Sequence, residues 1–345
     1  MKAMVLAAGA GTRLRPLTWE KPKPMVPILN RPNIFYILDK IARSGIKDVG
    51  LNLYSYPEQI LKYVDNGAKW DIKTKYSREK DLRGTAGCLA PLKNFFKDET
   101  FIVLSGDGLS DVSILELLAY HKRNNAIATI VLAKTDAKLE FGLVQMDDKH
   151  KIYAFLEKPG WEEVFSPYVN TGIYVLEPEV LKLIPDSGAF DFAKDLWPKL
   201  LLSKAPLYGY IHEGYWTDIG NFKQYRQCHK DILDGKINIP FQGREIKPNI
   251  WIGNNSKIGS RVKLEAPIVI GDKVKIENNA KVGAHSVIGD RCHIHENANI
   301  KESILWDNVD IARNVYVSGC VLANNTKLKE SVSFYEGAIL QAKIT

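Results

Sequence analysis

Apolar and polar positions alternate in two different regimes along the chain. Up to about residue 235, short apolar runs alternate with stretches whose apolar residues recur at helical spacing. That rhythm predicts an α/β domain with a mostly parallel sheet. Met4 to Ala8 is a nearly continuous apolar run, as expected of a strand buried on both faces. Helices are predicted over Asn33–Ser44, Pro57–Val64, Cys88–Phe96 and Ile114–Arg123, the first stopping at Gly45. Strands are predicted over Asp48–Leu53, Phe101–Ser105 and Ala126–Ala133, and Leu143–Phe155 is β-rich.

After Pro240 the period becomes six. Ile252, Ile258, Leu264, Ile270, Ile276, Val282, Ile288, Ile294 and Ile300 form an unbroken series, with small or apolar residues two positions before most of them. Glycine follows at positions 253, 259, 271, 283 and 289. Such a hexapeptide repeat predicts a parallel β-helix, each hexad supplying one short strand and a turn. The series then slips by one residue twice, through Ile311 and Val317 and then Leu322, Leu328, Phe334 and Leu340. The predicted organisation is an α/β domain over 1–235, a linker over 236–245 and the β-helix over 246–345. A solenoid leaves strand edges at its last coil, so a homo-oligomer built through this domain is expected.

Composition narrows the function classes. At 345 residues two domains are expected, and 45% hydrophobic with 25% charged residues is a globular balance. A formal charge of +7 suits an anionic partner. No basic run interleaved with aromatics stands out, which disfavours nucleic acid. Cys88, Cys228, Cys292 and Cys320 are far apart without a C-x-x-C pair, which fits reduced thiols in a cytosol and predicts no zinc site. No apolar span is long enough for a membrane and no signal peptide is evident, so a cytoplasmic protein without membrane partners is expected.

The chemistry concentrates in residues 3–27, AMVLAAGAGTRLRPLTWEKPKPMVP. The first strand breaks at Gly9-Ala10-Gly11, where bare backbone N–H groups can approach a phosphate. Arg13, Arg15, Lys21 and Lys23 follow, interleaved with Pro16, Pro22, Pro24 and Pro27, which predict a pinned, extended loop of cations. A glycine turn followed by four cations predicts a polyphosphate cradle. It is neither a dinucleotide fingerprint, since Leu14 stands where a third glycine belongs, nor a P-loop. Asp107 directly follows a buried strand, where a carboxylate can hold Mg²⁺ against phosphate oxygens. Asp111 is a candidate second ligand or the cap of a helix starting near Val112.

The run L-A-A-G-x-G-T-R-L-x-P-L-T, followed by P-K-P, resembles the signature of the sugar-1-phosphate nucleotidyltransferases, with every position filled. Four further motifs follow in family order: Gly84-Thr85-Ala86-Gly87, Gly106-Asp107, Glu157-Lys158-Pro159 with Val169-Asn170-Thr171-Gly172, and Trp216-Thr217-Asp218-Ile219-Gly220. The longer matches are most similar to mannose-1-phosphate guanylyltransferases, although Leu82-Arg83 stand where that group has Pro-Leu. The resemblance implies a Rossmann-like nucleotide-diphospho-sugar transferase domain with a mixed, mostly parallel sheet, followed by a left-handed parallel β-helix. It further implies that Leu6, Ala8, Gly9, Gly11, Thr12, Gly84 and Thr85 bind the nucleotide. Gly142, Glu157, Lys158, Asn170 and Thr171 would bind the sugar phosphate. Arg13, Lys23 and Lys158 would serve catalysis by holding phosphates, and Asp107 and Asp218 would hold Mg²⁺.

The reaction so implied is transfer of a nucleotidyl group from a nucleoside triphosphate to a sugar 1-phosphate, with GTP and mannose-1-phosphate the favoured pair. Glucose-1-phosphate with UTP or dTTP is the alternative within the class. A non-catalytic nucleotide-sugar sensor and a bifunctional enzyme with an acyltransferase β-helix are alternatives outside it. For the last, His285, His293 and His295 are the available bases, but they fall on turn or outward positions and no loop interrupts the nine hexads. A structural and assembly role for the β-helix is the expectation.

Overall fold

Strand β1 (Lys2–Leu6) occupies the middle of a nine-stranded sheet in the computed structural model, which describes residues 1–135, 140–164 and 166–339. The chain forms two compact units, one of Met1–Gly11, Lys21–Met25 and Asn33–Asp218, the other of Thr12–Glu20, Val26–Pro32 and Ile219–Thr345.

In the first unit the remaining strands are β2 (Asp48–Leu53), β3 (Lys73–Arg78), β4 (Phe101–Ser105), β5 (Gly108–Ser110), β6 (Ala128–Lys134), β7 (Leu143–Met146), β8 (Ile152–Leu156), β9 (Tyr168–Leu176), β10 (Leu207–Ile211) and β11 (Trp216–Asp218). The sheet runs β8-β7-β9-β4-β1-β2-β3, with β6 beside β9 and β10 beside β6. β1 pairs in parallel with both β2 and β4, and β9 lies antiparallel to β4, β6 and β7. β5 and β11 form a separate antiparallel ribbon.

Alternating side chains of the central strands feed two cores, as the two-residue strand period requires. Ala3, Val5, Ile102 and Leu104 join Ile34, Leu38 and Ile41 of helix α1 (Asn33–Arg43), Ile60 of α2 (Pro57–Val64) and Leu117 of α3 (Ile114–Arg123). Met4, Phe101 and Val103 join Phe96, Phe192 and Trp197, the last opening helix α4 (Trp197–Leu202). With both faces covered, these strands have no reason to alternate apolar with polar, which is why their sequences are continuous apolar runs.

Several local expectations are corrected. No single helix spans Cys88–Phe96: Gly84–Gly87 is itself a helical turn, Ala90–Leu92 is a 3-10 turn, and Lys93–Phe96 is a second turn. Pro91 has no N–H to donate to an i−4 carbonyl, so the run breaks there. The proline-rich loop is not extended but folded into 3-10 turns at Thr12–Leu14 and Lys23–Met25. β1 ends at Leu6 rather than Ala8, because the Ala7 N–H leaves the ladder for the Asn52 side chain at 2.8 Å.

The second unit is built on coiled strands. Ile250–Ile252 pairs in parallel with Ile268–Ile270, and Lys257–Ile258 with Lys275–Ile276, a rise of 18 residues per coil. From Val287↔Ile304 and His293↔Asp310 the rise becomes 17, which is the slip expected from the sequence. The inward residues form one column-stacked core. Leu340 lies outside the described residues. A positive φ recurs at six-residue intervals, at Asn249, Asn255 and Arg261 and, after a gap at Pro267, at Lys273, Asn279, His285, Arg291 and Asn297, and marks the corners. Asparagine tolerates this left-handed conformation better than other side chains bearing a Cβ, which explains its abundance there. Glycine after the inward residue has a packing cause: a Cβ on Gly271 would lie 2.4 Å from Asp290 Oδ1 on the next coil. Helix α5 (Phe222–Leu233), capped by Asn221, belongs to this unit, and its buried Tyr225 hydroxyl accepts from Trp306 Nε1 at 3.0 Å.

Candidate active site

The β5–β11 ribbon explains how two aspartates far apart in sequence meet. Its register sets Asp218 opposite Gly108, one residue from Asp107 at the end of β4. Lys23 enters between them: its buried ammonium donates to Asp107 Oδ2 and, at 3.2 Å, to Asp218 Oδ1. Ser105 Oγ donates to the other oxygen of Asp107. Burial works against the Lys23 charge, but the two carboxylates outweigh it and raise its pKa. Burial likewise works against the Asp107 charge, and Lys23 with Ser105 outweighs it, holding the carboxyl below its ordinary value. Lys23 and Asp107 are therefore both ionised at neutral pH.

Gly106 makes this convergence possible. A Cβ there would sit 2.4 Å from the Leu6 carbonyl oxygen and 3.1 Å from Pro24 Cγ. The missing side chain lets the Asp107 loop close onto both β1 and the residue next to Lys23. Asn33 fixes the loop from below. Its fully buried side chain donates to the Gly106 and Gly108 carbonyls at 3.0 and 3.4 Å.

A second group forms around Gly142, where a Cβ would lie 2.5 Å from the Phe155 ring and 2.8 Å from Glu157 Oε2. Gly142 thus leaves space for the Glu157 carboxyl, whose pKa burial raises, against the opposing charge of Lys158. The Asn170 backbone N–H donates to the Gly142 carbonyl at 2.8 Å, and its side-chain amide donates to the Tyr174 hydroxyl at 2.9 Å. Thr171 is buried and its hydroxyl donates to the Val131 carbonyl at 2.8 Å. Lys158 is exposed and has a positive φ.

The glycine-rich helical turn is held by a neighbouring segment. The Phe190 carbonyl accepts from the Ala86 and Gly87 N–H groups at 3.0 and 2.7 Å, and a Cβ on Gly84 would lie 2.7 Å from that oxygen. Thr85 donates to Asp191 Oδ1 from both its backbone N–H and its hydroxyl, each at 3.0 Å. Leu6, Ala8 and Gly9 lie at and beyond the end of β1, and Gly11 has φ +64°. Thr12 and Arg13 are exposed in the 3-10 turn that belongs to the second unit.

Asp111 is neither helix cap nor partner of Asp107. Ser113 caps α3, and Asp111 Oδ1 meets His212 Nε2 at 2.7 Å. The sequence reading missed Asn33, Asn52 and Glu79. Asn52 Nδ2 donates to Glu79 Oε1 at 2.8 Å, and Glu79 Oε2 accepts from the Arg83 N–H at 2.9 Å. That chain of bonds ties Ala7, before the glycine turn, to the residue preceding Gly84. Its signal was an asparagine inside an otherwise apolar strand, since a polar group in a buried run needs a partner.

Two carboxylates flank one buried cation at the carboxyl ends of the central strands, where ligands of open α/β sheets bind. Their oxygens are hard ligands already arranged around positive charge, a donor set that fits Mg²⁺.

Residues 2–235 match the family model described as nucleotidyl transferase, and residues 247–345 match that of the eIF2B epsilon-subunit left-handed β-helix domain. A UTP–glucose-1-phosphate uridylyltransferase of Synechocystis is 36% identical over 283 residues, 78% of this chain and 73% of the relative. A mannose-1-phosphate guanylyltransferase of Mycobacterium tuberculosis is 29% identical over 285 residues, 77% of this chain and 79% of the relative. Among solved structures, one from Bacillus anthracis provisionally assigned as a glucose-1-phosphate thymidylyltransferase shares the fold with a TM-score of 0.62 at 24% identity, covering 70% of this chain and 97% of its own. The chain is thus an α/β nucleotidyl-transferring enzyme with a left-handed parallel β-helix. It belongs to the nucleotidyl transferase family, among the sugar-1-phosphate nucleotidyltransferases and close to the mannose-1-phosphate guanylyltransferases. Among the described residues no helix is long and apolar enough to cross a membrane.

Proposed function

We propose that the enzyme joins GTP and mannose-1-phosphate into GDP-mannose and pyrophosphate. The observation that carries the chemistry is the Lys23 ammonium held between Asp107 and Asp218. A phosphate oxygen of the sugar 1-phosphate attacks the α-phosphorus of the triphosphate, and pyrophosphate leaves. That oxygen is already ionised at neutral pH, so positioning and charge neutralisation suffice and no general base is required.

Arg13 and Lys23 hold the triphosphate, and Lys158 holds the attacking phosphate. Asp107 and Asp218 hold Mg²⁺, which offsets negative charge on the phosphates. Gly9 and Gly11 let the backbone approach the phosphates, with Leu6, Ala8 and Thr12 beside them, and Gly84 with Thr85 lines the base and ribose. Glu157 and Asn170 receive the sugar hydroxyls beside Gly142 and Thr171. Self-association through the β-helix is part of the same proposal. It rests on the last described strand, Ser333–Ile339, which pairs on one side with Tyr316–Leu322 and exposes Tyr335.

The choice of GTP and mannose rests on the motif resemblance and on the guanylyltransferase relatives. UTP with glucose-1-phosphate is the second reading, favoured by the uridylyltransferase relative, whose 36% identity extends over 283 residues. Pyrophosphate release over a grid of nucleoside triphosphates and sugar 1-phosphates decides. A dominant GTP and mannose-1-phosphate cell supports the proposal, and a dominant UTP and glucose-1-phosphate cell replaces it. A blank grid from folded protein contradicts catalysis of this class.

A further inference from the structure

A cluster on one flat face of the β-helix lies outside the residues assigned above to nucleotidyl transfer. His293 and His295 flank the inward Ile294, so both project outward, His293 from the two-residue strand and His295 from the position just after it. Their rings stack with centroids 3.8 Å apart and planes 26° from parallel. The stack brings His293 Nε2 and His295 Nδ1 to one edge, where Glu277 of the preceding coil stands at 2.8 Å from the first and 3.6 Å from the second. One atom from each of the three residues falls within 4.8 Å of the others. Asp310 of the following coil stands at the opposite edge, 3.3 Å from His295 Nε2 and 3.9 Å from His293 Nδ1.

We propose that Glu277, His293 and His295 form a binding site for a divalent transition metal of the zinc class, with Asp310 as the outer carboxylate that orients the rings. Two imidazole nitrogens and one carboxylate oxygen are a zinc-type donor set that leaves a fourth position to water. Imidazole ligands select zinc, nickel, cobalt or copper over magnesium. A carboxylate on the far side of a ligating imidazole fixes which nitrogen faces the metal. Successive coils are about 4.8 Å apart, so side chains one coil apart converge on a single ion, and the metal clasps adjacent coils together. The face is not uniformly suited to this. The coil partners of His293 in the column are Lys275 and Asp310, followed by Lys327. Lys275 Nζ pairs with Glu277 Oε1 at 2.6 Å and competes with the metal for that carboxylate. Its side chain is 55% exposed and swings into solvent at little cost.

The test uses the full chain, stripped with chelator and returned to millimolar Mg²⁺ so that sites of carboxylates alone are filled. Zn²⁺ affinity is measured by competition with a chromophoric chelator, Co²⁺ coordination by visible absorption, and stability by Tm with and without Zn²⁺. Wild type is expected to bind one Zn²⁺, to give Co²⁺ bands with a nitrogen-ligand signature, and to gain Tm with Zn²⁺ but not with further Mg²⁺. His293→Gln with His295→Gln together abolishes all three effects. Asp310→Asn weakens binding about 10-fold or more, and Lys275→Met tightens it. Glu277→Gln leaves both rings in place and serves as the check should the double variant fold poorly. Zn²⁺ affinity unchanged by Glu277→Gln or by the histidine substitutions overturns the assignment, as does wild type that binds no Zn²⁺.

Discussion

Along one face of the β-helix each inward residue repeats the role of its predecessor: Ile276 pairs with Ile294, Ile294 with Ile311, and Ile311 with Leu328. At the end of β4 nothing repeats. Lys23 reaches Asp107 across 84 positions and Asp218 across 195. The repeat distributes stability over near-equivalent contacts, each felt mainly by adjacent coils. The charged triad, the proposed centre of the chemistry, consists of groups that are mutually dependent, since removing one leaves the others uncompensated in a partly buried place. Stability and activity should accordingly separate under mutation.

The largest separation is expected at Lys23. Lys23→Ala should lower turnover about 10²–10³-fold, the scale for losing one preorganised electrostatic contact, while far-UV circular dichroism stays that of wild type. Near-wild-type turnover would break the comparison at its functional end. Ile294→Ala should do the opposite, destabilising by about 2–5 kcal/mol through the cavity it leaves, read as a lower urea midpoint, with turnover per folded molecule unchanged.

Acid should act on the second unit through His229. Burial lowers its pKa to about 3, against the 3.3 Å bond to the Pro27 carbonyl, and its buried Nδ1 has no hydrogen-bond partner among the described residues. The unfolded chain takes up this proton near the ordinary histidine value, so it binds more protons than the folded chain between there and about 3. The histidine's contribution is intact above about pH 6.5 and is lost progressively below it, by at most about 1.4 kcal/mol per pH unit. His229→Phe should therefore flatten the pH dependence of the urea midpoint below that pH. An unchanged slope would assign the effect elsewhere. The smallest effect is expected at a corner. Asn279→Val should cost about 1–2 kcal/mol because valine resists the left-handed backbone, whereas Asn279→Gly should be near neutral, both by thermal unfolding.

What the sequence made legible follows the same divide. The β-helix was readable because its period lies in the inward residues, and even the 17-residue coils showed as slips. The corner asparagines carry the same period, but their cause is a left-handed backbone set by the coil, which the hydrophobic pattern does not reveal. Asp107 was readable from its place after a buried strand, and Asp218 only through the family resemblance, because the ribbon register that joins them is a long-range pairing. The Lys23 contact with both carboxylates was not readable at all. Asn33 looked like the start of a helix, and only the fold reveals that its amide holds the Gly106 and Gly108 carbonyls.

The central claim is that Lys23, Asp107 and Asp218 form the centre of nucleotidyl transfer. Pyrophosphate release by Asp107→Ala and by Asp218→Ala, beside wild type and under matched folding checks, tests it most directly. Both variants should remain folded and lose turnover by at least about 10²-fold. Wild-type rates in either folded variant would contradict the account.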